Sequence, residues 1–411
     1  MAQQTYEFNP LSLEFQQDRY AVFKKVHTYC PIYKEPQTDR NGRVFTLWHF
    51  TTYEDVQFAF RDKRFVIQLK NALPADQLPP TPPEIRVLED HLKQLLVLQD
   101  RPDHTRLRSL INKAFTPRLA EQLEPRIQDI SRYLLQEFEP GSTIDLVRDY
   151  ANQLPIFVIT ELMGVPVEDR YLIKKWSTQV IRSTDHKPTK EMLMNANQAM
   201  IEFQHYFREL VHDRSRNLRD DLISKLVRAT YEEGHMSEDE LLANCIGLVL
   251  GGHETTASMI ASSIYLMIRY QEQQNLLRAQ PEWMESAIEE VLRFETPLQL
   301  RHRKVGEDME YKGHALKRGD SVTGWIAAAN RDPDVFVNPD QFDITRKKNP
   351  HLAFGYAAHF CLGAPLARKE GAIALQTLFD KYAHLKLVNE QVEWMPFPST
   401  RTLKSLNVLV Y

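Results

Sequence analysis

Residues 353–375 read AFGYAAHFCLGAPLARKEGAIAL. The stretch holds Cys361, one of three cysteines in a chain of 411 residues. Small residues, the three aromatics Phe354, Tyr356 and Phe360, and His359 precede it. Leu362, Leu366, Lys369, Ile373 and Gln376 follow at helical spacing. Cys361 is therefore expected where a tight loop enters a helix. A thiol there faces unpaired N–H groups and the positive end of the helix dipole, which favours the thiolate. A thiolate with backbone N–H donors close by is a good soft ligand for iron. A lone cysteine is more often a small buried hydrophobe, but the surrounding pattern reverses that preference.

Phe354-Gly355-Tyr356-Ala357-Ala358-His359-Phe360-Cys361-Leu362-Gly363 resembles the haem-binding loop of the cytochrome P450 family, Phe-Gly-x-Gly-x-His-x-Cys-x-Gly. Ala357 stands where the family usually has glycine. That glycine permits a positive φ or a close approach of the backbone to the ring, and alanine is disfavoured in either role. A slightly altered loop that still binds haem is expected.

Composition sets the broad class. Hydrophobic residues make up 43% of the chain, enough for a large core, and the formal net charge is −4. That balance gives no global pull toward nucleic acid or an anionic membrane. The N-terminal stretch MAQQTYEFNPLSLEFQQDRY is polar and lacks an apolar run fit for a signal peptide or membrane anchor. Cys30, Cys245 and Cys361 are odd in number and far apart. They form no zinc spacing and no disulfide framework, so a reducing cytoplasm fits.

Taken in order, residues 1–60 read as irregular chain and then a small sheet. Asn41-Gly42 between two apolar runs signals a hairpin. Thr51-Thr52-Tyr53-Glu54 looks like a capping box opening a helix through Phe60. Residues 71–83 carry five prolines, a loop too long and too apolar for a plain linker. Next, Asp103 is placed to cap a helix with His104 and Arg108 on one face at i, i+4. Locally that is an ordinary basic face. From Thr116 to about Arg228 the period is helical. Breaks are expected at Glu139-Pro140-Gly141, Gly164-Val165-Pro166 and Ser183–Pro188, with Thr116-Pro117 as an N-cap followed by proline.

Residues 237–270 give the longest helix candidate. Two adjacent glycines, Gly251 and Gly252, fall inside it at a cost of roughly 1 kcal/mol each relative to alanine. Close approach of a flat ligand, or a local opening of the helix, would compensate. His253-Glu254 suggests a zinc site, but the second histidine of HExxH is absent because Ala257 stands there. Glu290 and Arg293, at i, i+3, are alone only a weak surface pair.

The resemblance runs from about residue 10 to the end and rests on four ordered motifs. It implies the P450 fold, mainly α with a small β-rich lobe, as a single domain over 1–411. It implies haem b (iron protoporphyrin IX) ligated through the metal by Cys361 and cradled by Phe354, Gly355, His359 and Gly363. His104, Arg108 and Arg303 are implied to hold the propionates, with His359 beside them and Arg301 as the fallback for Arg303. Gly251 and Gly252 are implied to make room beside the ring. Thr255 is implied to hydrogen-bond bound dioxygen or a nearby water, and Glu254 to relay protons. Thr255 has a plain alternative in back-bonding to the preceding turn. Glu290 and Arg293 are implied to be a buried structural pair. Gln341 replaces the arginine that usually completes it, so the network must be satisfied differently. The five-proline loop, the helices around 183–188, Thr296–Leu300 and Phe397–Thr400 are implied to border the substrate.

The implied activity is that of a monooxygenase of the bacterial type without a membrane anchor. It would hydroxylate or epoxidise an apolar small molecule in natural-product, lipid or terpenoid metabolism. Electrons would come from a ferredoxin or flavodoxin with its reductase, docking near Lys113, Lys347, Lys348, Arg368 and Lys369. Ring coupling or desaturation, a peroxide-driven peroxygenase and a haem sensor are the rivals. Glu254-Thr255 argues against the last two.

Overall fold

The computed structural model of the chain describes residues 6–39, 41–184, 188–233 and 236–411. The chain is mainly helical with small sheets. It forms two compact units. One comprises Met1–Pro80, Glu289–Cys361 and Pro396–Arg401, and the other Thr81–Ile288, Leu362–Met395 and Thr402–Tyr411.

The first unit holds a five-stranded sheet. Its order is Ile32–Thr38, Val44–Phe50, Ser321–Gly324, Arg301–Val305 and Phe65–Val66. Neighbouring pairs are antiparallel except Val44–Phe50 with Ser321–Gly324. The hairpin at Asn41-Gly42 forms as expected. Gly42 takes a φ of 78°, and the Asp39 carboxylate accepts the N–H groups of Asn41 and Arg43. Trp48, Phe50, Phe60, Phe65, Val305 and Val322 close one core under this sheet. A second core gathers Phe8, Phe15 and Phe23 around Trp325, whose indole N–H donates to His49 Nδ1 at 3.0 Å. Helix Tyr53–Arg61 opens one residue later than the sequence suggests. Thr52, not Thr51, is the N-cap, and its side chain accepts the N–H of Asp55.

The second unit is built on the helix Glu238–Arg269, 32 residues long. Ser237 and Glu240 form a reciprocal capping box at its start. Leu154–Leu162, Arg170–Arg182, Lys190–Arg216 and Ala364–Lys381 pack on it. Helix Leu154–Leu162 has eight of its nine residues buried, which is why its sequence lacks an amphipathic period. A three-stranded antiparallel sheet joins Thr143–Asp145, Asn407–Val410 and Leu385–Leu387.

Helical periodicity missed two features of the 116–228 stretch. Strand Thr143–Asp145 is one. The other is a break after Arg216, where buried Arg214 donates to buried Asp221 at 2.6 Å. Thr116 is the N-cap of Pro117–Leu135, but its side chain makes no capping bond. The expected break at Ser183–Pro188 falls partly on residues 185–187, which lie outside the described residues. Among the described residues no helix is long and apolar enough to cross a membrane.

Candidate active site

Within the first unit the Cys361 loop is held from behind by a buried ionic network. Glu290 and Arg293 have fully buried side chains. Arg293 donates Nε to Glu290 at 2.8 Å and Nη2 at 2.7 Å. Its other N–H groups reach the carbonyls of Asn330, Pro339 and Gln341. Every guanidinium donor is thereby used, which is what a buried charge requires. Burial lowers the Arg293 pKa, and Glu290 opposes that.

The expected gap at Gln341 is filled by Arg346. Its Nε donates to both Glu290 oxygens at 3.2 and 3.1 Å, and Asn349 and the Asp343 N–H complete the shell. Gln341 contributes only its backbone carbonyl, to Arg293 and Arg346. Asn330 passes this order to the loop: its carbonyl accepts from Arg293, and its side-chain oxygen accepts the Leu352 N–H at 2.7 Å.

Beyond Leu352 the chain doubles back. The Gly355 N–H donates to the Leu352 carbonyl at 2.8 Å, and the Cys361 N–H to the Phe354 carbonyl at 2.8 Å. Between them Gly355 takes a φ of 74° and Ala357 a φ of 55°. A Cβ on Gly355 would lie 3.3 Å from the His359 carbonyl oxygen. Ala357 therefore occupies the left-handed conformation that glycine favours. Ala357–His359 form one 3₁₀ turn with Ala357 and Ala358 exposed and His359 half-buried. Cys361 is half-buried and outside any disulfide. Gly363 caps helix Ala364–Lys381 without a side-chain bond.

Strand Arg301–Val305 brings Arg301 and Arg303 to one face. Arg303 is buried, lies over the Phe60 ring and donates to the His302 carbonyl at 2.9 Å. Nearby, the Gln299 N–H donates to the Ser399 carbonyl at 2.9 Å, and Leu298 bridges Thr400. Phe397–Thr400 is thus tied to Thr296–Leu300.

Within the second unit the glycines do not open the central helix, which runs unbroken from Glu238 to Arg269. Gly251 is exposed where most of that helix is buried, and a Cβ added to it meets no atom within 4 Å. Gly252 faces Ile159 at ordinary contact distance. Thr255 Oγ1 donates to the Gly251 carbonyl at 2.7 Å, so the back-bonding alternative is realised. Gly247, Gly251 and Thr255 recur every four residues along the incompletely covered stripe of this helix.

Glu254 is largely enclosed. Burial pushes its carboxyl up to about 7, against the opposing pull of the Thr178 hydrogen bond and the Arg182 and Lys174 charges. Lys174 is in turn lowered by burial. His253 is buried against Ser177, and burial brings it down to about 3. No cluster of metal-binding side chains forms among the described residues.

His104 and Arg108 share a face of helix Asp103–Ala114, His104 buried and Arg108 half-buried. Asp103 is the first helical residue rather than the cap, a place Pro102 takes. Arg106, off that face, pairs with Glu240 at 2.5 Å.

Taken unit by unit, the side chains present fit the chemistry of a haem: in the first, a half-buried thiol on a backbone-ordered loop and the Arg303 guanidinium; in the second, His104 and Arg108 for carboxylates and an open glycine face on a long helix. Sequence reasoning missed Arg346 as a support, and Thr178, Lys174 and Arg182 around Glu254. Only Arg346 left a signal, in the Asp343-Ile-Thr-Arg run.

A Cytochrome P450 family model matches residues 40–404. The chain is 36% identical over 406 residues to the polyketide biosynthesis cytochrome P450 PksS of Bacillus subtilis (strain 168), covering 98% of each. It is 38% identical over 388 residues to the vitamin D(3) 25-hydroxylase of Pseudonocardia autotrophica, covering 93% of this chain and 91% of that one. The crystal structure of P450BioI with hexadec-9Z-enoic acid ligated acyl carrier protein superposes with a TM-score of 0.89 at 34% identity, covering 97% and 99% of the two chains. With a site of this make-up and relatives aligned along nearly its whole length, the chain belongs to the cytochrome P450 family.

Proposed function

We propose that the chain inserts one oxygen atom of O2 into an apolar small molecule, by hydroxylation or epoxidation. As a member of the family it is an oxidoreductase, a monooxygenase whose cofactor is haem b. In this reading Cys361 ligates the iron, within the cradle of Phe354, Gly355, His359 and Gly363. His104, Arg108 and Arg303 hold the propionates. The haem, when bound, supplies dioxygen binding and oxygen transfer, with the thiolate favouring O–O cleavage. The chain's own contribution is positioning and proton supply. Gly251 and Gly252 leave room on the central helix, and Thr255 presents a hydroxyl on the same stripe as Gly251.

The observation that carries the reading is Glu254. A carboxyl held near neutrality, beside Lys174 and Arg182 and bonded to Thr178, gives and takes a proton at working pH. A peroxygenase or a haem sensor has no use for such a group. Support for an apolar substrate comes from relatives named for a polyketide pathway and for vitamin D(3), and from a neighbour bound to an acylated carrier protein. Three cysteines outside any disulfide are in keeping with a cytoplasmic protein.

Electrons are assigned to a ferredoxin or flavodoxin with its reductase. Lys113, Lys347, Lys348 and Arg368 are the candidate docking charges. Lys369 is already paired with Glu124 at 2.8 Å and is the weakest of the set. Turnover with NADPH and a surrogate ferredoxin system, compared with peroxide alone, is the test. Product formed only with peroxide would overturn the reading, as would charge reversals that leave reduction kinetics unchanged at every docking site. Product analysis separates hydroxylation from desaturation or ring coupling.

A further inference from the structure

Several buried arginines in this chain are matched by carboxylates: Arg293 and Arg346 by Glu290, Arg214 by Asp221, Arg170 by Glu161. Arg19 is an exception. It opens helix Arg19–Tyr29 and is only 3% exposed, yet among the described residues both of its hydrogen-bond acceptors are neutral. Nη1 donates to Gln299 Oε1 at 2.9 Å and Nη2 to the Phe397 carbonyl at 3.5 Å. Nε is buried with no hydrogen-bond partner among the described residues. The carboxylate of Glu295 is engaged by Tyr20 and Arg401, at 3.0 and 2.8 Å. A buried charge with neutral acceptors and an idle donor is a poor stabiliser. What a planar guanidinium does well is hold two acceptors at a fixed spacing.

The two acceptors belong to the two stretches expected to border the substrate, residues 296–300 and 397–400. Their own pairing is short. The Gln299 N–H donates to the Ser399 carbonyl and the Arg401 N–H to the Pro297 carbonyl, each at 2.9 Å, around a bridge between Leu298 and Thr400. So short a pairing sets register and spacing weakly by itself. Gln299 is fully buried and ties further groups together. Its side-chain N–H donates to the Thr296 carbonyl at 2.5 Å, and its own carbonyl accepts the Ala327 N–H at 3.1 Å. Side chains alternate along an extended chain, so with Gln299 turned toward Arg19, Leu298 is turned away. Leu298 and Thr400 are half-buried where Gln299 and Leu300 are buried. The helix that carries Arg19 is itself fixed, because Val22, Phe23 and Val26 share a core with Leu300.

We propose that Arg19 is a positioning residue for the substrate: by holding Gln299 and the Phe397 carbonyl at once, it sets where Leu298 and Thr400 stand at the substrate's border. The proposal rests on the reading above, in which the haem-loaded chain takes an apolar molecule against these two stretches. Arg19 acts from behind that border and does not touch the substrate.

Optical titration of the haem-loaded protein with imidazole and with 1-dodecylimidazole tests it. Both ligate the iron, but only the second carries an apolar chain toward the border. The variants are Arg19→Met, Arg19→Lys, Gln299→Met and the combination of Arg19→Met with Gln299→Met. Arg19→Met should weaken binding of 1-dodecylimidazole about tenfold, the order of a misplaced apolar contact, and leave imidazole within about twofold. Arg19→Lys keeps the charge but reaches one acceptor rather than both, so it should show a smaller loss of the same kind. It carries the test alone if the Met variant does not load haem. Because Arg19 acts through Gln299, the loss in the double variant should fall short of the product of the single losses.

Equal weakening of both ligands, weakening of neither, or a double variant that shows the full product would overturn the proposal. A wild-type protein that takes up no haem, or that binds 1-dodecylimidazole no more tightly than imidazole, overturns the underlying reading instead, so the two failures are distinct.

Discussion

Replacing Glu254 with glutamine should make the protein more stable, and increasingly so as pH rises. Burial outweighs Thr178, Arg182 and Lys174 and lifts the folded-state pKa of Glu254 from 4.5 to about 7. The folded protein then keeps a proton that the unfolded chain has released, so stability falls with pH between those values. Below the unfolded pKa both states are protonated and the effect vanishes; above about pH 7 it is complete. At about 1.4 kcal/mol per unit, the carboxylate costs the folded state on the order of 3 kcal/mol at alkaline pH. Glutamine has the same shape and does not titrate. Urea unfolding of the haem-loaded proteins, followed by circular dichroism from about pH 5 to about pH 8, should show the Glu254→Gln advantage widening by about that amount. Lys174→Met removes one attracting charge and should move the midpoint of that widening to higher pH. A gap that is constant with pH, or one that shifts in favour of the wild type as pH rises, would refute the reasoning. Lys174 and Arg182 would then be holding an ordinary carboxylate.

Further expectations concern the loop, its support and the hydroxyl. Ala357→Gly relieves a left-handed alanine worth about 1–2 kcal/mol and adds about 0.4–1 kcal/mol of unfolded-chain entropy. Thermal unfolding should show a net gain below about 1.5 kcal/mol. Gly355→Ala should lose stability, with a φ of 74° and the His359 carbonyl 3.3 Å from the new Cβ. Arg346→Met strips a cation from buried Glu290 and should cost about 3 kcal/mol or more in urea unfolding. Thr255→Ala removes only a side-chain bond to the Gly251 carbonyl, so stability should change by less than about 1 kcal/mol. Product per NADPH consumed should nonetheless fall and recover in Thr255→Ser.

The sequence was legible where one local pattern carries its own meaning. The hairpin at Asn41-Gly42 and the capped start at Ser237 are local devices and stand as read. Ala357 was legible in part: the family's glycine allowed either a positive φ or a close approach of the backbone, and the alanine shows the positive φ. The long central helix followed from its period, but its glycines were compatible with either an opening or a bare face. Only packing distinguished these, through the space beside Gly251. That the Glu290 network is satisfied without a Gln341 side chain was legible, but its third donor was not: Arg346 lies 56 residues away, and such a partner leaves no periodic trace. The surroundings of Glu254 were illegible for the same reason. Lys174, Thr178 and Arg182 lie on one stripe of another helix, which reads locally as an ordinary polar face.

The central claim is that Cys361 is an iron ligand through its thiolate. The carbon monoxide difference spectrum of the reduced, haem-loaded protein tests it most directly. The account predicts the strongly red-shifted Soret band of a haem–thiolate complex in the wild type, and its loss in Cys361→His with haem still bound. Its absence from the wild type, or its survival in Cys361→His, would contradict the account.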